Sequence, residues 1–212
     1  MKEVRYSSEV MNQHYDVGTR TVTLINNSKT VDDAPLASVT NLEAVLDGIV
    51  GIMDVEEDIL FLFVTSHGSK EHEIAVELDD FPLQGLTASR FKRILDNSDI
   101  KWKVLLVSAC YSGGFVDALK DEHTLIITAA RADRASFGCS DDAELTYFGR
   151  AFFEKSLTPD SSFIDAFARA RELVLSWEKA EEREPSEPQI FFTDAIEKKL
   201  AEWRHMQKTV AN

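Results

Sequence analysis

Two stretches of the sequence decide the fold: DILFLFVTSHGSK at residues 58–70 and KWKVLLVSACYSGGF at residues 101–115. Each begins with a continuous apolar run of strand length, which is typical of a strand buried on both faces of a parallel sheet. The first run ends at His67-Gly68 and the second at Cys110, three residues before Gly113. Because ligands bind at the carboxyl ends of the strands in an α/β sheet, we expect an imidazole and a thiol to face each other at one sheet edge.

The rest of the chain alternates between strand and helix patterns. Further strands are predicted at residues 20–27, 73–78, 123–130 and 189–192. Helical spacing of apolar residues predicts helices at residues 3–15, 41–53, 87–98, 113–121, 144–157, 161–179 and 194–207. Thr40, followed three residues later by Glu43, predicts the cap of the second helix. This alternation predicts a three-layer αβα fold with a mostly parallel sheet, as a single domain over residues 1–212.

The amino-acid composition limits the kinds of partner and the cellular location that we expect for this chain. The formal net charge is −14 and the pI is near 4.8, so the surface repels phosphate backbones; we expect no nucleic-acid partner and no anionic membrane. No apolar run reaches the roughly 18 residues of a membrane span, and the N-terminus lacks the apolar core of a secretory signal. As written, the chain is predicted to be cytoplasmic, whereas a longer parent with an export signal would be periplasmic or membrane-associated.

A thiol beside an imidazole is the arrangement of a cysteine nucleophile with its base. The helix predicted to begin near Gly113 places a positive dipole end close to the sulfur of Cys110. Backbone N–H groups at Gly68 and Cys110 are candidates for an oxyanion hole. Taken alone, a cysteine at a strand end is usually a small buried hydrophobe; the coincidence with His67, also at a strand end and also next to glycine, favours the catalytic interpretation.

The motifs resemble those of the legumain family of cysteine peptidases, in the caspase-like clan, and most of all its bacterial branch. The resemblance rests on His67-Gly68, on Ala109-Cys110-Tyr111-Ser112-Gly113, and on two longer stretches, LIITAARADRASFGCSDDAELTYFG (125–149) and SEPQIF (186–191). It covers about residues 20 to 200. It implies a caspase-like fold and an endopeptidase that often cleaves after asparagine; one branch of the family is instead a transamidase. Peptides or proteins are the implied substrates, and no cofactor is implied.

The resemblance also assigns roles to residues. Cys110 would be the nucleophile and His67 the general base and acid, with Gly68 and Cys110 supplying the oxyanion N–H groups. Asp141 lies where the family's specificity pocket uses an acidic residue, and Ser136 and Tyr111 are further substrate-binding candidates. Asp141 also lies in a charged run, CSDDAE, and such runs are usually solvated turns.

The chain departs from the family at its beginning. The family starts with an apolar strand that lies centrally in the sheet, and it has a pocket arginine just after that strand. This sequence starts instead with what looks like the first helix. In addition, legumains proper carry an acidic residue at the position of Tyr111. Three explanations compete: a fragment of a longer protein, a fold that closes the gap with different strand pairing, or a degenerate relative. The rival functions are therefore a transamidase with the same dyad and an inactive scaffold or binding module. The oligomeric state is not indicated.

Other kinds of site are not expected. His67 and His72, with Glu71 and Glu73 beside the latter, match no standard metal-ligand spacing. A disulfide between Cys110 and Cys139 is possible on paper and would disable the nucleophile. No phosphate-loop motif is present.

Overall fold

A four-stranded sheet forms the centre of the molecule. The structure is a computed structural model, and it describes residues 1–78, 81, 83–138 and 144–210. The strands are Ile59–Thr65 (β1), Glu73–Ile74 (β2), Leu86–Thr87 (β3), Trp102–Ser108 (β4), Thr124–Thr128 (β5) and Gln189–Phe191 (β6). The main sheet has the order β1-β4-β5-β6, and β2 and β3 form a separate antiparallel pair. β1, β4 and β5 are parallel and only β6 runs antiparallel, which confirms the predicted mostly parallel sheet.

Helices cover both faces of this sheet. They are Lys2–Tyr15 (α1), Val39–Val50 (α2), Ala88–Asn97 (α3), Gly114–Leu119 (α4), Tyr147–Gly149 (α5), which continues as a π-helical stretch at Arg150–Ser156, then Phe163–Ala180 (α6) and Asp194–Val210 (α7). One face packs against α1, α5, α6 and α7, and the other packs against α2, α3 and α4. Side chains of β4 alternate between these two layers, with Leu106 in the first and Leu105 in the second, both fully buried. This is the three-layer αβα arrangement that the sequence predicts.

Three local predictions were wrong. Residues 20–27, predicted as a strand, pair with no strand; Gly18–Arg20 is a 3₁₀ turn, and the following segment makes a backbone hydrogen bond from the N–H of Ile25 to the carbonyl of Pro35. The predicted strand at 73–78 is only two residues long. The cap of α2 is Ser38, not Thr40, because the Ser38 hydroxyl accepts the N–H of Asn41.

The first of these errors has a structural reason: β1 has no neighbour on one side. A cavity of about 1030 Å³, which we call the edge slot, separates β1 from residues 21–27. An isolated segment cannot form a ladder across such a gap, so its alternating pattern does not become a strand. Among the described residues, β4 is the only segment that pairs with β1. This argues against the explanation that a different strand pairing closes the gap.

No helix in the described part of the chain is both long enough and apolar enough to cross a membrane.

A buried lysine fixes the amino end of the central strands. The ammonium of Lys103 in β4 lies 3.2 Å from the carboxylate of Asp121 and donates to the carbonyls of Ile100 and Lys101. Burial alone would raise the pKa of Asp121, but hydrogen bonds from Thr124 and from the backbone N–H of His123, together with Lys103, lower it. The ionised carboxylate therefore stabilises the folded state.

We expect Asp121→Asn to lower the free energy of unfolding by about 1 kcal/mol at pH 7, because Asp121 is partly exposed and solvent screens the pair. A folded-state pKa below the unfolded one gives stability that is present at neutral pH and disappears as the pH falls through the acid range, below about pH 4. Urea unfolding of both proteins from pH 3 to pH 7 tests this. A difference between them that stays constant with pH would contradict it.

Candidate active site

The register of the central strands brings His67 and Cys110 to the same level. Thr65 at the end of β1 pairs with Ser108 at the end of β4, and the ladder continues with the N–H of Ser66 donating to the carbonyl of Ser108 at 3.3 Å. His67 and Cys110 each follow two residues after these paired ends. The imidazole is exposed and the thiol is partly buried. In the described residues no hydrogen bond joins the two side chains, and no residue orients the His67 ring.

The two strand ends touch at Gly68. A methyl group added at Gly68 would lie 2.1 Å from the carbonyl oxygen of Cys110, so only glycine lets the two backbones approach this closely. Neighbouring N–H groups are already bonded: Ser69 donates to Glu73, and Tyr111 donates to Arg134. Within the described part of the chain, the N–H groups of Gly68 and Cys110 donate no hydrogen bond. Both N–H groups are therefore available as hydrogen-bond donors at this edge of the sheet.

The sulfur of Cys110 is held by the loop after β5. The N–H of Ser136 donates to Sγ at 3.3 Å, the thiol lies 3.5 Å from the carbonyl of Ser136, and the Ser136 hydroxyl lies 3.7 Å from Sγ. Ser136 itself is 9% exposed. The structure thus brings this substrate-binding candidate into direct contact with the candidate nucleophile, Cys110. The sulfur is oriented towards the wall that residues 134–138 form.

The residue after Cys110 adopts a backbone conformation that L-residues seldom use. Tyr111 has φ 56°, in the left-handed region, so the chain turns sharply directly after Cys110. The N–H of Tyr111 donates to Arg134 at 2.7 Å, and its carbonyl lies 3.1 Å from Nδ1 of His72. Because a carbonyl can only accept, Nδ1 of His72 carries the proton. These two bonds hold the turn in place.

His72 supports the turn at Tyr111, although its sequence context suggests only a metal ligand. Its ring packs on the first residue of α4, where a side-chain carbon on Gly114 would lie 2.1 Å from the ring. His72 also has φ 58°. Its spacing from His67 gives no sign of this role, since the contact partners lie about forty residues away. The described residues contain no group of three or more His, Cys, Asp or Glu side chains arranged to hold a metal.

A second supporting residue is Glu3, which no sequence motif identifies. Its buried carboxylate accepts from the hydroxyl of Thr65, two residues before His67, and from both the N–H (3.2 Å) and the hydroxyl (2.7 Å) of Thr146. The hydroxyls of Thr146 and Ser108 lie 3.2 Å apart. Glu3 therefore connects α1 to the ends of β1 and β4. No sequence signal marks this residue, because its partners lie 62 and 143 positions away.

Beside His67 lies a shallow depression with acidic walls. It is lined by His67, Gly68, Ser69, Glu71, Glu73 and Ala75. The remaining substrate-binding candidate, Asp141, lies outside the described residues, as does Cys139, so the pocket prediction on Asp141 is not tested. Cys110 is a free thiol.

Comparisons with known proteins show the family and the fold of the chain. The model of the peptidase C13 family matches residues 6–198. The crystal structure of caspase-1 from Spodoptera frugiperda superimposes with a TM-score of 0.58 at 12% sequence identity, covering 89% of this chain and 77% of that chain. No curated protein sequence matches the chain. The structural likeness shows that the fold is caspase-like.

The contact at Gly68 gives a stability test with a built-in control. We expect Gly68→Ala to cost about 1–3 kcal/mol, because the new methyl group must displace the backbone of Cys110. Gly48 lies in α2 with nothing within 4 Å of an added methyl group, so Gly48→Ala should instead stabilise by roughly 0.5–1 kcal/mol. Guanidinium unfolding measures both. Equal effects of the two substitutions would show that the strand ends do not touch as described.

Proposed function

Because the chain belongs to the peptidase C13 family of cysteine peptidases, we propose that it is a cysteine endopeptidase in which Cys110 and His67 form the catalytic dyad. We take residues 1–212 as one peptidase domain. The observation that carries the proposal is the pairing of Thr65 with Ser108, which sets His67 and Cys110 two residues beyond the same rung of the sheet. The free N–H groups of Gly68 and Cys110 at that rim support it.

The first half of the reaction forms an acyl-enzyme. The proton of the Cys110 thiol passes to His67, and the thiolate attacks the carbonyl carbon of the scissile peptide bond to form a C–S bond. The carbonyl electron pair moves to the oxygen, which the N–H groups of Gly68 and Cys110 stabilise. When this intermediate collapses, the C–N bond breaks, and the imidazolium of His67 protonates the leaving amine.

The second half of the reaction hydrolyses the acyl-enzyme and releases the carboxylic acid product. A water molecule gives a proton to His67 and attacks the thioester carbonyl, and the C–S bond breaks to return the thiolate. The exposure of His67 suits this role, because the same ring must meet first the amine and then water. Transamidation would use the same acyl-enzyme with an amine in place of water, and no contact in the structure favours it.

We assign substrate selection to the wall of residues 134–138, which lies next to the sulfur of Cys110. Ser136 contacts Sγ, and Tyr111 begins the turn behind it, so a side chain next to the scissile bond would lie against these residues. We include Asp141 in this pocket, where its carboxylate would accept a hydrogen bond from the side-chain amide of asparagine. Cleavage after asparagine is therefore the specificity to test first.

We expect Cys110→Ser and His67→Ala each to reduce hydrolysis of a fluorogenic peptide with asparagine before the scissile bond by about 10³-fold or more, because each removes half of the dyad. His123→Ala is the control: that ring packs on Trp102 at the far end of the sheet, and its removal should leave the rate unchanged. A panel of peptides with other residues at that position measures specificity.

A second readout does not require the correct substrate. In a Cys139→Ser background, iodoacetamide labels only Cys110, and we expect His67→Ala to slow that alkylation at pH 7 by about tenfold, because the imidazole no longer takes the proton. If His67→Ala leaves the rate of Cys110 alkylation unchanged and no peptide is hydrolysed, the proposal is contradicted and an inactive scaffold is favoured. A product joined to an added amine, in place of the free acid, would show a transamidase.

A further inference from the structure

A short closed loop carries both His67 and the second histidine, His72. His67 lies at its base, where the carbonyl of His67 accepts the N–H of Ala75 at 2.9 Å. The tip is closed by the N–H of His72, which donates to the carbonyl of Ser69 at 3.1 Å. We call residues 67–75 the histidine loop. Because its two sides are hydrogen-bonded to each other, a contact made by its tip also restrains the residue at its base.

Two successive carbonyl groups after β4 contact this loop. The carbonyl oxygen of Cys110 lies against Gly68, where an added methyl group would be only 2.1 Å away. The next carbonyl, that of Tyr111, lies 3.1 Å from Nδ1 of His72 and accepts its proton. In the described part of the chain, this is the only side-chain hydrogen bond between the histidine loop and the turn that follows Cys110.

The ring of His72 is also fitted closely against the start of α4. A methyl group added at Gly114, the first residue of that helix, would lie 2.1 Å from both Cγ and Nδ1 of the ring. Glycine is therefore needed there for the ring to reach Tyr111. The backbone of His72 is held as well, because its carbonyl accepts the N–H of Ala88, the first residue of α3, at 3.2 Å.

From these contacts we infer that His72 is a positioning residue for the dyad of Cys110 and His67. Its hydrogen bond to Tyr111 ties the tip of the histidine loop to the residue after the thiol, and so sets the separation of imidazole and sulfur. Among the described residues, no hydrogen bond between the two side chains of the dyad performs this task. The inference rests on the proposed function, because it assigns His72 a part in that reaction.

The dependence of Cys110 alkylation on His67 measures this separation. In the Cys139→Ser background, His67→Ala should slow the reaction with iodoacetamide about tenfold, and in the presence of His72→Gly this factor should fall below about twofold. In the His67→Ala protein, His72→Gly should have no further effect. A merely structural role of His72 would instead change the exposure of the thiol and alter its rate in both backgrounds.

Two substitutions separate the hydrogen bond from the backbone conformation. His72 has φ 58°, which both asparagine and glycine adopt readily. The side-chain nitrogen of asparagine is attached to Cγ, as Nδ1 of histidine is, so His72→Asn keeps a donor for Tyr111, whereas His72→Gly has none. We expect His72→Gly to lower kcat for peptide hydrolysis about 10²-fold with KM changed less than about threefold, and His72→Asn to restore most of the loss.

Gly114→Ala tests the same contact from α4 and leaves His72 in the chain. Its methyl group would collide with the ring, so we expect it to reduce the His67-dependent alkylation as His72→Gly does. In the His72→Gly protein the ring is absent, and Gly114→Ala should have no further effect. Urea unfolding shows whether each variant is folded, and Gly114→Ala provides the test if His72→Gly does not fold.

Three results would overturn the inference. The first is a His67-dependent alkylation factor that survives both His72→Gly and Gly114→Ala. The second is equal loss of activity in His72→Asn and His72→Gly, which would show that the hydrogen bond is not what the site requires. The third is additive effects of His72→Gly and Gly114→Ala. If His67→Ala has no effect on alkylation even with His72 present, the proposed function itself fails, and the inference with it, so the two failures are distinguishable.

Discussion

The parallel ladder between β1 and β4 is the constraint on which the rest of the structure depends. Its register pairs Thr65 with Ser108, and everything proposed for the site follows from the residues that come next along the two strands. A slip of one residue would turn every side chain of β1 to the opposite face, exchanging the layers against which Phe61 and Leu62 pack. The core therefore fixes the register, and the register places the histidine level with the cysteine.

The strand that precedes His67 has a paired neighbour on one edge only, among the described residues. β4 lies between two neighbours and its central side chains are fully buried, whereas β1 has a ladder on one edge and the edge slot on the other. Part of the support comes from Glu3, whose carboxylate holds the hydroxyl of Thr65 and reaches Thr146. Glu3 thus connects the end of β1, two residues before His67, to α1.

Cys110 has more contacts with its surroundings than His67 has. Its strand is central, its sulfur contacts Ser136, and the left-handed turn at Tyr111 is held by Arg134 on one side and His72 on the other. Cys110 is therefore the more enclosed member of the candidate dyad and His67 the more exposed one. In the reaction proposed above, an exposed His67 can exchange protons with both the leaving amine and water.

The sequence by itself determined the layer architecture and the candidate dyad, because both are local patterns: apolar runs of strand length that stop at a reactive residue followed closely by glycine. Only the tertiary structure decided which neighbours hold the site, since Glu3, His72 and Ser136 act through contacts with residues distant in the chain. The same reason explains the wrong strand at residues 20–27. A strand exists only when a partner lies within hydrogen-bonding distance, and propensity carries no information about that partner.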